Sequence, residues 1–163
     1  MGPFRHIPYR QRTDAQKIET QWGKAVGLLN RGDWSAAVVR AVTATEISAN
    51  LAIRDEYQRQ GELSSVDVDK ILTDSNGLKG KMKVLRKLLD DQGKARVAAL
   101  ERRMQDACGK RNAIVHSGEF CDEEEARRLV ENCGRFVVQV VGTYLTGFEL
   151  TSIEIPPDQD LGA

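Results

Sequence analysis

The residues best suited to chemistry lie in one short run, Arg111-Asn112-Ala113-Ile114-Val115-His116. Histidine has the ordinary side-chain pKa that best suits proton transfer near neutral pH. If the run is helical, Asn112 and His116 are four residues apart and share one face. Arg111 carries a planar cation that can contact two oxygens of an anion at once. The run therefore predicts a site for proton transfer and anion binding.

The sequence offers few other candidates for a catalytic residue, a nucleotide-binding motif or a metal site. His6 is the only other histidine, and nothing in its segment would fix its position, so we interpret it as a tail residue. A P-loop, a Gly-x-Gly-x-x-Gly run, a nucleophile elbow and a His-Glu-x-x-His pair are all absent. Cys108, His116 and Cys121 match no common zinc spacing and lack a fourth ligand. No metal or cofactor is expected, and the three cysteines are predicted to be free thiols.

Arg111 falls on the continuation of an apolar stripe, where a charged group needs an anionic partner or a groove that binds an anion. The candidate partner is Glu46, whose helical neighbours are apolar. We predict a Glu46–Arg111 ion pair, and the alternative is that Glu46 only reaches the edge of the core. His116 also has a structural interpretation, since an imidazolium at a helix C-terminus interacts favourably with the helix dipole.

The elements that must position these residues follow a helical period throughout. We predict an all-α, up-and-down bundle of four or five helices over residues 13–150, between a flexible basic tail at 1–12 and a C-terminal tail at 151–163. The long helices have the approximate bounds 13–30, 33–60, one that begins near Leu78, one from Lys94 to His116, and a last one from Asp122 past Tyr144. A short additional helix at 65–72 is predicted between the second and the third. A strand at 136–141 is the less favoured alternative for its β-branched residues, and residues 152–155 could form another short strand.

Charge is unevenly distributed although the chain carries no net charge. Residues 76–116 contain eleven basic and four acidic residues, whereas residues 117–163 contain three basic and ten acidic residues. The segregation is typical either of a phosphate-binding face or of a basic helix packed beside an acidic one. No run of eighteen apolar residues occurs and the N-terminus lacks the apolar stretch of a signal peptide, so no membrane association and a cytoplasmic location are predicted.

The run Arg111-Asn112-x-x-x-His116 followed by Ser117-Gly118 resembles the Arg-x4–6-His motif of HEPN domains, in the form with Asn after Arg. The helix with Ala44-Thr45-Glu46 and Asn50-Leu51-Ala52 looks like the helix that bears the acidic residue in such domains. The resemblance spans residues 13–148. One departure is Gly118, which stands where HEPN toxins often carry a tyrosine that is modified.

The resemblance implies a metal-independent endoribonuclease that cleaves single-stranded RNA by attack of the 2′-hydroxyl on the adjacent phosphate. Arg111, Asn112 and His116 would be catalytic and Glu46 a supporting ion-pair partner. Five residues of the basic stretch are predicted to guide the RNA: Lys79, Lys83, Arg86, Lys87 and Lys110. The cell context would be phage defence or a toxin–antitoxin system, with a possible antitoxin or activator protein.

Each chain offers one plausible proton-transferring histidine, whereas acid–base cleavage works best with two. A symmetric homodimer with a composite site, the arrangement of HEPN ribonucleases, would supply both. Two alternatives stay open: a non-catalytic HEPN module that binds RNA, a nucleotide or a partner protein, and a helical scaffold in which Arg111 and His116 are structural.

Overall fold

The computed structural model describes residues 4–153 as a helical bundle without strands in that range. It contains seven α-helices after a short 3-10 helix at Tyr9–Gln11. They are α1 (Asp14–Asn30), α2 (Trp34–Gln60), α3 (Ser65–Asp74), α4 (Gly77–Leu88), α5 (Asp91–Arg103), α6 (Gln105–Ser117) and α7 (Glu123–Gly142). The all-helical architecture is confirmed, whereas the predicted count of four or five helices is not.

Helix α2 is the centre of the bundle and packs against α1, α4, α6 and α7. Small residues dominate its inward side, and Ala41, Ala44 and Ala52 are completely buried. Because alanine takes little space, the backbones of the neighbouring helices can approach α2 closely. By length and composition α2 could also cross a membrane, but 56% of its most apolar stretch is buried inside the bundle. Such burial is typical of the central helix of a globular core.

The helix ends follow local capping chemistry. Thr13 and Gln16 form a reciprocal capping box at the start of α1. Asp122 accepts a hydrogen bond from the backbone N–H of Glu125 at 2.9 Å, which confirms it as the cap of α7. Asp33 precedes α2 as predicted, but its side chain makes no capping hydrogen bond.

The prediction of one helix from Lys94 to His116 is wrong, because α5 ends at Arg103 and α6 begins at Gln105. Met104 lies between them, is 1% exposed, and donates its N–H to the carbonyl of Glu101. The apolar stripe runs through the break without losing its period, so the sequence pattern could not reveal it. Gly93 lies in the first turn of α5 and donates its N–H to the side chain of Asp90 at 2.7 Å.

The stretch 136–141 is helical within α7, so the less favoured strand interpretation is wrong. Its β-branched residues are accommodated because Val137 and Val141 are completely buried against neighbouring helices. Tertiary packing here outweighs the modest helix propensity of valine. Of the possible strand at 152–155, Ser152 and Ile153 have no regular structure, and residues 154–155 lie outside the described range.

The described parts of the two predicted tails contact the bundle. Arg12 donates hydrogen bonds to the carbonyls of Phe4 and Ile7 and to the hydroxyl of Thr20. At the other end, the carbonyl of Thr151 accepts a hydrogen bond from a tryptophan in α1. These contacts attach both segments to α1, and the flexibility predicted for residues 1–12 stays a prediction.

The packing of α1 on α7 depends on Gly134. A Cβ at Gly134 would lie 2.7 Å from Cη2 of Trp22, whose ring is 3% exposed and donates its N–H to Thr151. The ring cannot move away without losing this hydrogen bond. We expect Gly134→Ala to lower the free energy of unfolding by about 1–2 kcal/mol in urea denaturation, because overpacking outweighs the gain in helix propensity.

Gly23 provides the matched control for this substitution. It lies in the interior of α1, is exposed, and a Cβ there would meet nothing within 4 Å. Gly23→Ala is therefore expected to raise stability by about 0.5–1 kcal/mol. A Gly134→Ala protein as stable as the Gly23→Ala protein would contradict the close approach of Trp22 to α7.

Candidate functional site

The run Arg111–His116 lies in the second half of α6, and the helix end is fixed from several sides. Gly118 adopts a left-handed conformation with φ 65° and closes α6 by donating its N–H to Ile114. The next residue, Glu119, donates its N–H to Ala113 and pairs with Lys110 through its carboxylate, at 2.6 Å. The end of α6 is therefore a defined turn that returns the chain to α7.

The side chain of Arg111 extends from α6 towards α2, and the predicted ion pair with Glu46 is present. Its Nη2 lies 3.4 Å from Oε1 of Glu46, and the side chains are 28% and 19% exposed. Its Nη1 also donates a hydrogen bond of 3.0 Å to Oδ1 of Asn112. One nitrogen of the guanidinium is thus directed to α2 and another to the exposed Asn112. The pair holds Arg111 while leaving part of its cation at the surface.

His116 lies in the last turn of α6, one helical turn beyond Asn112 on the same face. Both side chains are exposed, and within residues 4–153 His116 makes no hydrogen bond or ion pair. Asn112 therefore connects Arg111, through a hydrogen bond, to the face on which His116 is displayed. The arrangement offers a cation, an amide and a free imidazole at one helix end.

Gly77 and Lys81 of α4 lie near the Glu46 carboxylate, and the sequence did not single them out. Helix α4 begins beside it, since a Cβ at Gly77 would lie 3.9 Å from Oε1 of Glu46. Lys81 is 8% exposed and donates a hydrogen bond of 3.0 Å to the carbonyl of Leu72. Burial lowers the pKa of Lys81, and the charge of Glu46 partly opposes this. The sequence did contain a signal for the burial of Lys81, because this residue lies three positions after Leu78 on the apolar stripe of α4.

The five predicted RNA-binding residues do not form one free basic surface. Lys79, Lys83 and Lys87 are exposed, one turn apart on α4, and have no ion-pair partner in the described part of the chain. Arg86 instead pairs with Glu101 of α5. Lys110 pairs with both Glu119 and Glu125, and its side chain is 12% exposed.

The three cysteines are free thiols, as predicted. Burial is the main cause that raises the pKa of Cys108 and of Cys121 to about 11, and it also raises the pKa of Cys133. Thiolates would therefore be scarce at neutral pH, which disfavours a nucleophilic role. Within residues 4–153, no group of three or more His, Cys, Asp or Glu side chains is placed to hold a metal ion.

Two exposed apolar side chains lie close to His116 in the sequence. Val115 is 53% exposed and Phe120, in the turn after α6, is 87% exposed. The backbone around Phe120 is nevertheless held, because Glu119 is bonded to α6 and the N–H of Cys121 donates to the hydroxyl of Ser35 at 3.0 Å. The aromatic ring is thus displayed from a fixed turn rather than from a loose loop.

Comparisons with known proteins add no assignment to this site. No protein-family model matches the chain, and neither the curated proteins nor the solved structures contain a match to it. The resemblance to HEPN domains consequently rests on the sequence run and its helical context.

Proposed function

We propose that the protein is a metal-independent endoribonuclease of the HEPN type that cleaves single-stranded RNA. The observation that carries the proposal is the end of α6, where an exposed His116 shares a face with Asn112, and Asn112 is hydrogen-bonded to an Arg111 held by Glu46. A free imidazole beside a positioned guanidinium suits a reaction that needs both proton transfer and stabilisation of negative charge.

In this proposal the 2′-hydroxyl of one nucleotide attacks the phosphate that follows it. The hydroxyl proton passes to a base, the bond from phosphorus to the 5′-oxygen breaks, and the leaving oxygen takes up a proton from an acid. The products are a 2′,3′-cyclic phosphate and a 5′-hydroxyl. His116 transfers protons, Arg111 stabilises the charge on the phosphate, and Asn112 orients the phosphate or the imidazole.

A homodimer supplies the second proton-transferring group, because one chain has a single histidine in α6. The exposed Phe120 and Val115 support this association, since both lie within four residues of His116 in the sequence. A second copy packed on this end of α6 would bring two His116 side chains towards each other. The exposed row of Lys79, Lys83 and Lys87 supplies positive charge for the RNA backbone. The proposed setting is a toxin–antitoxin or phage-defence system in the cytoplasm.

Replacing Phe120 with aspartate tests the dimer. We expect Phe120→Asp to weaken association at least about tenfold in sedimentation equilibrium, because a charge at the centre of an apolar contact is left without a partner. Val66→Asp is the matched control, since Val66 is 73% exposed but lies on α3. A monomeric wild type, or equal weakening by both substitutions, would contradict this interface.

A non-catalytic module is the second candidate, and one observation favours it. Arg111 already has a carboxylate partner, Glu46, at 3.4 Å, as expected for a structural ion pair. A module of this kind would bind RNA, a nucleotide or a partner protein without cleaving anything.

The two candidates are separated by one cleavage comparison in EDTA. A labelled single-stranded RNA is incubated with the protein beside a DNA of the same base sequence. The proposal expects cleavage of RNA alone, because only RNA carries the attacking 2′-hydroxyl. Cleavage of both strands, or of neither across several RNA sequences with the dimeric protein, would overturn the ribonuclease assignment.

A further inference from the structure

A lysine joins the turn after α6 to the start of α7. The ammonium of Lys110 lies 2.6 Å from Oε1 of Glu119 and 3.0 Å from Oε2 of Glu125. Lys110 belongs to α6, Glu119 follows the end of that helix, and Glu125 lies in the first turn of α7. One side chain therefore contacts two consecutive segments besides its own, and the part of the chain that they enclose contains His116 and Phe120.

The environment of Lys110 differs from that of the exposed lysines on α4. The side chain of Lys110 is 12% exposed, whereas Lys79, Lys83 and Lys87 are exposed and have no ion-pair partner in residues 4–153. Hydrogen bonds to its two carboxylate partners raise the pKa of Lys110, so the ammonium stays charged near neutral pH. A cation shared by two carboxylates is restricted in position more than one in an isolated surface pair.

The position of Phe120 depends on the residues on either side of it. Its own ring is 87% exposed, so contacts of that side chain contribute little to holding it. On one side the N–H of Cys121 donates to the hydroxyl of Ser35 at 3.0 Å. On the other side the N–H of Glu119 donates to a carbonyl of α6 at 3.2 Å, and its carboxylate is the one that Lys110 contacts.

We propose that Lys110 is a positioning residue that fixes the turn at 118–121, and with it the place of Phe120 relative to His116, and that it does not contact RNA. The functional part of this inference rests on the proposed dimeric ribonuclease, in which Phe120 contacts the second copy. The cluster contains one cation and two anions, so it repels a phosphate instead of attracting one. The two roles of Lys110 therefore predict different effects when its charge is removed.

Backbone ¹⁵N relaxation of the full chain tests the positioning without any need for RNA cleavage. We expect the amides of residues 119–121 to have order parameters of about 0.85 in the wild type and below about 0.7 in Lys110→Met. Lys110→Arg should restore the wild-type values, because a guanidinium can also contact two carboxylates. Lys83→Met is the matched control, since Lys83 is exposed and has no ion-pair partner among the described residues.

Two further measurements separate positioning from RNA contact. In sedimentation equilibrium Lys110→Met should associate at least about threefold more weakly than the wild type, because a mobile turn must be ordered on association. The dependence of RNA affinity on salt concentration should stay unchanged, since no phosphate contact is lost. Lys83→Met should show the reverse, with unchanged association and a salt dependence whose slope falls by about 0.7, the value for one phosphate contact on a single strand.

Glu119→Gln provides a second variant, since Glu119 is 51% exposed and its substitution changes the net charge in the opposite direction. It should lower the same order parameters as Lys110→Met. The inference is overturned if both variants keep wild-type order parameters at 119–121, or if Lys83→Met lowers them equally. It is also overturned if Lys110→Met reduces the salt dependence of RNA binding and leaves association unchanged. A monomeric wild type that cleaves no RNA would overturn the proposed function alone, because the relaxation result decides the positioning.

Discussion

His116→Ala is expected to reduce RNA cleavage by a factor of about 10²–10⁴, because the substitution removes the side chain that transfers protons. The free energy of unfolding should change by less than about 0.5 kcal/mol, since His116 is exposed and has no partner in residues 4–153. Initial rates on a labelled single-stranded RNA and urea denaturation of the same preparations measure the two effects. Loss of activity without loss of stability separates a catalytic role from a structural one.

The chain contains its own control for this experiment. His6 is the only other histidine and is exposed, so His6→Ala removes an imidazole of the same kind from outside α6. We expect this variant to cleave like the wild type. A His116→Ala protein that keeps full activity, or that loses stability in proportion to its loss of activity, would contradict the assigned role.

Arg111→Ala is expected to affect both activity and stability. Cleavage should fall about 10²–10³-fold, since a positioned charge that stabilises the reacting phosphate is lost. Stability should fall by about 1–3 kcal/mol, because Glu46 is 19% exposed and would be left without its cationic partner on α6. The joint loss distinguishes Arg111 from His116, whose substitution should affect activity alone.

Two companion substitutions separate the contributions of Arg111. Glu46→Gln removes the carboxylate, and in the Glu46→Gln background Arg111→Ala should cost less stability than it does alone. Arg111→Lys keeps the charge but loses the second nitrogen that contacts Asn112, so activity should be only partly restored. Equal stability costs of Arg111→Ala in both backgrounds would show that the two side chains do not interact.

The helices were predictable from the sequence because their signals are local. Thr13, Ser64 and Asp122 each cap a helix start, and the apolar stripes keep a helical period through each element. The break at Met104 was not predictable, since the apolar period continues across it without interruption. The close approach of Trp22 to Gly134 joins residues that are far apart in the sequence, so no local pattern indicates it.

The candidate site was predictable in part, because only one of its long-range contacts leaves a signal in the sequence. A charge on an apolar stripe requires a partner, and this requirement predicted the contact between Arg111 and Glu46. The partners of Arg86 and Lys110 were not predicted, because a solvated lysine or arginine has the same local pattern as one paired with a carboxylate on another helix.

The most direct test of the central claim is the chemical nature of the cut ends. A single-stranded RNA with a fluorescent label at its 5′ end is incubated with the protein in EDTA. One half of the labelled fragments is treated with phosphatase directly, and the other half is treated with acid and then with phosphatase, before separation. The proposed mechanism predicts fragments that resist phosphatase until acid opens a 2′,3′-cyclic phosphate. Fragments that end in a free 3′-hydroxyl, or an uncut RNA, would contradict it.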